Sequence, residues 1–189
     1  MKTIILAALL VLPSLGFAAE VEKTLKGVSM PVSLQFEGKK LELNGLGLRT
    51  KVVFKVYVAG LYLEKLSKSG EEIAASEQLK RVELSFLRKV DGADVAKAIA
   101  DGFTNNAGAA LPALKDRIAK FEKLIPDVKK GDRLLFVYRP GAAAGVELQY
   151  NGASLGKIEG KDFGDALLRV WLGPKPSDKD LQDGLLGLK

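Results

Sequence analysis

The sequence predicts an α+β fold: an antiparallel sheet with helices layered on one face. Two observations lead there. Strand-like segments and helix-like segments come in blocks, in the order strands, helices, strands, helices, which is the arrangement of segregated layers and not of alternating βαβ units. No internal repeat, linker or low-complexity segment interrupts the chain, so residues 19–189 read as a single domain, long enough to bury about 70% of its unfolded surface.

Each element has its own signal. Val32 to Phe36 alternates apolar and polar residues, and Glu37-Gly38 turns it into Lys40 to Leu43, a hairpin. Gly45 and Gly47 read as a glycine-rich turn that delivers Arg49 to the longest strand, Val52 to Leu63. The second half of that strand is apolar on both faces, which predicts a buried, central position. Ser69-Gly70 ends this region, Glu71 to Ser76 reads as a short helix, and Arg81 to Leu87 as the next strand. Asp91 to Asp94 starts a helix whose stripe is Val95, Ile99 and Phe103, and Asn105 to Gly108 stops it. Pro112 suits the first turn of a following helix, with Leu114, Ile118, Phe121 and Ile125 as its stripe and Pro126 as its end. Leu134 to Arg139 is a strand. Val146 to Tyr150 and Ser154 to Ile158 flank Asn151-Gly152, the strongest two-residue hairpin signal in the chain. Phe163, Leu167, Val170 and Trp171 form the face of a helix closed by Gly173-Pro174, and Ser177 with Asp180 resembles a capping box before a last short helix.

Residues 1–18 carry the marks of a secretory signal peptide: Lys2, an apolar run from Ile4 to Leu12, and a small-x-small site at Gly16-Phe17-Ala18 with cleavage after Ala18 or Ala19. The expected location is periplasmic or secreted. Without Lys2 the net charge falls from +6 to +5. The basic residues are scattered pairs (Lys39-Lys40, Lys80-Arg81, Arg88-Lys89, Lys129-Lys130) with no aromatic interleaving, so they read as solvated faces. Nucleic acid is not expected as a partner, and contact with a membrane surface is expected to be weak at most.

The chain has no histidine and no cysteine. That removes Ser-His and Cys-His nucleophiles and the ordinary ligands of zinc, copper and iron. No phosphate-binding loop is present, and Gly45-Leu46-Gly47 precedes a strand, so it is no dinucleotide fingerprint. No metal and no cofactor is expected. Haem would have only Met30 and the four tyrosines as axial ligands. Glu71-Glu72 and Asp178/Asp180 read as favourable charges in first helical turns.

Arginine, tyrosine, lysine and carboxylates around an apolar core remain. Arg49 is the first candidate. It is either a structural arginine that satisfies carbonyls or an acid, or an anion-recognising group whose fork matches a carboxylate. Tyr57 is the second, as a phenol able to add one hydrogen bond to the same anion. Eight residues of continuous strand would separate the two by about 26 Å. Both can touch one ligand only if Arg49 precedes a bend or bulge or lies on a neighbouring strand. Tyr62 and Trp171 read as core, and Arg139 as an exposed strand end.

The run Gly45-Leu46-Gly47-Leu48-Arg49, followed by Val56-Tyr57-Val58-Ala59-Gly60-Leu61-Tyr62, resembles the chalcone isomerase family, in particular bacterial chalcone isomerase-like proteins. Ala166 to Gly173 and the helix after Ser177 resemble the C-terminal helices of the same proteins. The resemblance implies an open-faced sandwich of a large antiparallel sheet and a helical layer. It also implies a choice of functions, because plant relatives include true isomerases, fatty-acid-binding proteins and non-catalytic helpers. In the isomerases an arginine at the position of Arg49 stabilises the oxyanion of a cyclising chalcone, assisted by a threonine and a tyrosine. Here Tyr57 stands at the threonine position. The expected tyrosine near a helix start has no counterpart, since that start reads Val90-Asp91-Gly92-Ala93; an assisting lysine is matched by nothing clearer than Lys80 or Arg81. In the fatty-acid-binding branch an arginine and a tyrosine hold the carboxylate at the end of an apolar tunnel, and Arg49 and Tyr57 match both types. The leading expectation is an exported, non-catalytic protein that binds a small amphipathic anion such as a fatty acid. The alternatives are an isomerase with Arg49 as oxyanion stabiliser, and a structural or partner-binding envelope protein with a filled core.

Overall fold

The computed structural model describes residues 21–189; the signal-peptide segment and its cleavage site lie outside the described residues. Glu22–Leu25 (β1) and Val28–Pro31 (β2) form a small hairpin across Lys26-Gly27, both at positive φ. Seven strands follow in one sheet: Ser33–Phe36 (β3), Lys39–Lys51 (β4), Phe54–Leu63 (β5), Lys80–Phe86 (β6), Arg133–Arg139 (β7), Gly145–Tyr150 (β8) and Ala153–Glu159 (β9). They pair antiparallel in strict chain order. Gly70–Ala75 (α1) lies between β5 and β6. Gly92–Asn106 (α2) and Leu111–Glu122 (α3) lie between β6 and β7. Lys161–Leu172 (α4) and Lys179–Leu185 (α5) close the chain. The expected α+β architecture is therefore the observed one. Among the described residues no helix is long and apolar enough to cross a membrane.

One face of the sheet carries the helices and the main core. Ala59, Leu61 and Leu63 of β5, Val82, Leu84 and Phe86 of β6, and Phe136 of β7 pack against Ile99 and Phe103 of α2, Phe121 of α3, and Phe163, Leu167 and Trp171 of α4. The other face is not bare. The β1–β2 hairpin, absent from the sequence-based expectation, joins a second cluster with Met30, Leu41, Leu46, Val58 and Tyr62. Tyr62 is fully buried there, its hydroxyl donating to Pro31 O at 3.0 Å, as its expected core role requires.

The hairpin turning at Glu37-Gly38 is observed as β3–β4, but three expectations about β4 and β5 are corrected. Gly45 and Gly47 form no turn; they lie inside β4, the longest strand at 13 residues. They are glycines because α5 rests directly on them: a Cβ at Gly45 would overlap Gly184 O, and one at Gly47 would overlap Leu181 O. The strand expected from Val52 begins at Phe54, and the reversal occurs at Val52-Val53, with Val52 at φ 59°. A β-branched pair in a turn is rare, so the run looked continuous with the strand. The arm expected over Lys40 to Leu43 is only the start of β4.

Elsewhere the agreement is close. Ser69 caps α1 by accepting from Glu72 N, and Asn151 and Gly152, at φ 49° and 86°, make the β8–β9 turn. Ile125 lies past the end of α3, buried all the same. The last helix is capped by Asp178, which accepts from Leu181 N, and not by Ser177.

Candidate functional site

The β4–β5 hairpin resolves the separation of Arg49 and Tyr57. The chain reverses between them, so the two become register partners on adjacent strands. Which face they share is set by a bulge. Glu42 pairs with Leu63 and Leu43 with Tyr62, but the next pair is Gly45 with Leu61, leaving Asn44 as the extra residue. Before it, Leu41 and Leu43 face the second cluster; after it, Leu46 and Leu48 do. A one-residue bulge reverses the alternation, so Gly45, Gly47 and Arg49 fall on the helical side. Asn44 is held by its own bonds, donating to Leu185 O at 2.8 Å and accepting from Ser67 N at 3.0 Å.

Arg49 is largely enclosed. Its Nη1 donates to Thr50 O (2.9 Å), Ser177 O (3.2 Å) and Asp178 Oδ2 (3.2 Å). Asp178 also accepts from Thr50 N at 3.0 Å and caps α5. The structural role weighed for this arginine is thus real: it ties the end of β4 to the start of α5. All its protein hydrogen bonds leave from Nη1, so the Nε and Nη2 side of the fork has no protein acceptor among the described residues. Tyr57 Oη accepts from Trp171 Nε1 at 3.2 Å, and its ring meets Phe86 edge-on at 5.6 Å. Burial pushes the phenol above its ordinary value of 10.0, and Asp178 adds to that; the Trp171 bond and Arg49 pull the other way. At neutral pH the hydroxyl is therefore protonated. With one lone pair occupied by the indole, its hydrogen is free to be donated.

Arg49, Tyr57 and Trp171 line a cavity of about 640 Å³ between the sheet and the helices. The sheet contributes Val56, Tyr57, Leu84 and Phe86, α2 contributes Val95, Ala98 and Ile99, and α4 contributes Val170 and Trp171. Exposed residues mark its mouth: Lys51, Val52 and Phe54 on the hairpin, and Arg88, Lys89, Asp91 and Asp94 before and within α2. The volume lies within the usual range of small-molecule sites, about 300–1,000 Å³. An apolar wall with two polar donors at one place suits a molecule with an apolar body and a single anionic or strongly polar group.

Trp171 is buried as its core role predicted, yet it also lines the cavity and orients Tyr57; its place at the end of an apolar helix stripe gave no hint of that. Arg139 is not a free strand end. It bridges Glu37, at 2.9 Å, and Glu147, at 2.7 Å. Lys80 and Arg81 do not reach Arg49: they pair with Leu63 and Tyr62, at the opposite end of β5. Lys80 is fully buried and donates to Ile73 O, Ala74 O and Ser76 O, closing the C-terminus of α1. Arg81 bonds Glu83 at 2.6 Å. Among the described residues no group of three or more acidic side chains is placed to hold a metal.

The fold is similar to that in the crystal structure of a fatty-acid binding protein of Arabidopsis thaliana. The TM-score is 0.72 at 17% identity, over 88% of this chain and 95% of that one. At that identity the likeness is one of fold. No curated protein matches the sequence. A family profile described as chalcone isomerase-like matches residues 22–187, from the first strand to just beyond the last helix. The chain is a member of the chalcone isomerase-like family.

Proposed function

We propose that this protein binds a long-chain fatty acid or a similar amphipathic anion, without turning it over, with the carboxylate at Arg49 and Tyr57 and the hydrocarbon against Leu84, Phe86, Val95 and Ile99. The observation that carries this reading is the coincidence of an apolar cavity of about 640 Å³ with two donors left incomplete by the protein itself, the outer side of the Arg49 fork and the Tyr57 hydroxyl hydrogen. Carboxylate binding to a guanidinium and a phenol is a charge-assisted interaction stronger than a neutral hydrogen bond. Asp178 moderates it, because it already neutralises part of the Arg49 charge at 3.2 Å. Affinity would then come mainly from the apolar wall, with orientation supplied by the polar pair. That the structurally similar Arabidopsis thaliana protein is a fatty-acid binding protein supports this reading.

The test is native mass spectrometry of protein purified from an exporting host, followed by titration of delipidated protein with palmitate. Co-purifying acid, or saturable binding of about one equivalent, is the expected result. Protein that carries no acid and takes up none when it is offered would end the proposal. The same sample, mixed with a chalcone, tests ring closure by loss of chalcone absorbance above the uncatalysed rate; acceleration abolished by Arg49→Ala would replace binding by isomerisation.

A further inference from the structure

We infer that the tip of the β4–β5 hairpin docks this protein on an anionic lipid surface and holds the mouth of the cavity against it. The tip is Lys51-Val52-Val53-Phe54-Lys55. Val52 is 88% exposed, Val53 78% and Phe54 55%, three consecutive large apolar side chains in water. Among the described residues the other exposed large apolar residues, Val21, Val32, Leu66 and Leu188, stand singly, which is ordinary. A contiguous apolar turn is not, and it marks a contact surface.

The charges around the tip say what kind of surface it meets. Lys51 and Lys55 flank the apolar residues on the hairpin, and Arg88 and Lys89 stand beside them, all four exposed, with the Arg88 guanidinium 4.5 Å from the Phe54 ring centroid. Asp91 and Asp94 are the carboxylates at the same mouth, and Asp91 pairs with Lys89 at 3.5 Å. Cations remain in excess. An apolar point ringed by lysine and arginine complements the interface of a bilayer bearing anionic headgroups: the side chains of Val52, Val53 and Phe54 enter the acyl boundary and the cations meet phosphates. An apolar protein partner would not require the cationic ring.

Position makes the docking useful. Lys51, Val52, Phe54, Arg88 and Lys89 all line the cavity, so a molecule leaving or entering the bilayer at this point would pass from acyl chains to the cavity wall with little exposure to water. This purpose rests on the amphiphile-binding reading above; the docking itself stands on the tip alone.

The experiment is flotation with vesicles of phosphatidylcholine alone and of phosphatidylcholine mixed with phosphatidylglycerol, using wild type, Val53→Asp and Lys55→Glu. Neither substituted residue lines the cavity. Wild type should float with the mixed vesicles and far less with phosphatidylcholine alone. Lys55→Glu should weaken binding about fivefold or more, since one basic residue at such a surface contributes about that factor, and Val53→Asp should lose it. The chain has no cysteine, so a single dye-labelled Val53→Cys should shift to the blue on vesicles while a dye at Lys68→Cys, beyond the far end of β5, should not. Absence of flotation, or flotation that Val53→Asp leaves unchanged, overturns the inference. So does a concentration-dependent dimer that Val53→Asp dissolves, which would assign the tip to a second copy of the chain. Palmitate titration of the same variants without vesicles separates the two proposals: docking lost with titration intact is the expected pattern. Failure of palmitate binding in wild type sinks the ligand reading and leaves the flotation result standing.

Discussion

Two corners of one sheet face hold a cation near a tyrosine, and they differ in almost everything else. At one end of β5, Lys80 is sealed. Three backbone carbonyls of the α1 end take its ammonium, the Tyr138 ring lies 4.3 Å from it, and nothing is left for a ligand. At the other end, Arg49 has one nitrogen committed to the protein and opens on a cavity. The neighbouring helix decides the difference. The carbonyl end of α1 closes over Lys80, whereas α5 meets Arg49 with its N-terminal cap, the carboxylate of Asp178, and leaves space between β5 and α2. A buried cation is thus no mark of function by itself; the mark is a donor whose bonding the protein does not complete.

The largest effect expected from this contrast is at the sealed corner. Lys80→Ala should lower the unfolding free energy by about 3 kcal/mol, because it opens a cavity and strands buried carbonyls; urea unfolding measures it, and a loss under about 1 kcal/mol would break the comparison. The corner also has a pH signature. Burial lowers the Lys80 pKa from 10.5 to about 8. Between those values the unfolded chain binds more protons than the folded one, so stability contributed by this group rises with pH from about 8 upward and is flat below. Lys80→Ala should remove that rise. Tyr138, raised to about 12 by burial, works in the opposite sense above pH 10, so the window to examine lies between pH 8 and 10.

At the open corner the order reverses: binding should suffer more than stability. Arg49→Ala should weaken palmitate binding by about 2 kcal/mol, roughly thirtyfold, the scale of a lost charge-assisted hydrogen bond. The melting transition should stay cooperative, because Asp178 keeps its bonds to Thr50 N and Leu181 N. Equal losses in both measurements would make Arg49 purely structural. The smallest effect is Tyr57→Phe, which keeps the ring against Phe86 and removes one donor. About 1 kcal/mol of binding should go, read by the same titration, and no change at all would remove the hydroxyl from the site.

Much of this was written in the chain. Periodicity placed the helices of the second half within a few residues, Asn151-Gly152 announced its turn, and the Arg49 and Trp171 segments carried the family resemblance. The β4–β5 hairpin is hidden because its signals point the wrong way: Gly45 and Gly47 look like a turn and are a strand packed under α5, while Val52 and Val53 look like a strand and are a turn. The β1–β2 hairpin was missed altogether, although Lys26-Gly27 before the alternating run Val28-Ser29-Met30 was its cue.

By itself, then, the sequence determined the fold class, the helical stripes and the residue types from which a site could be made, because local periodicity and turn chemistry act over a few residues. It also left arginine, tyrosine, lysine and carboxylates to carry the chemistry, by containing no histidine or cysteine. Only the tertiary structure decided that Arg49 and Tyr57 are neighbours, that Asn44 turns Arg49 to the helical side, that Asp178 holds it, and that Lys80 is closed while Arg49 is open. Those outcomes depend on strand register, on a single-residue bulge and on which helix end lies overhead. The Arg49–Tyr57 pairing follows from the nearby Val52-Val53 reversal, which its β-branched residues conceal; the hold of Asp178 on Arg49 depends on contacts between residues far apart in the chain, about which local sequence carries no signal.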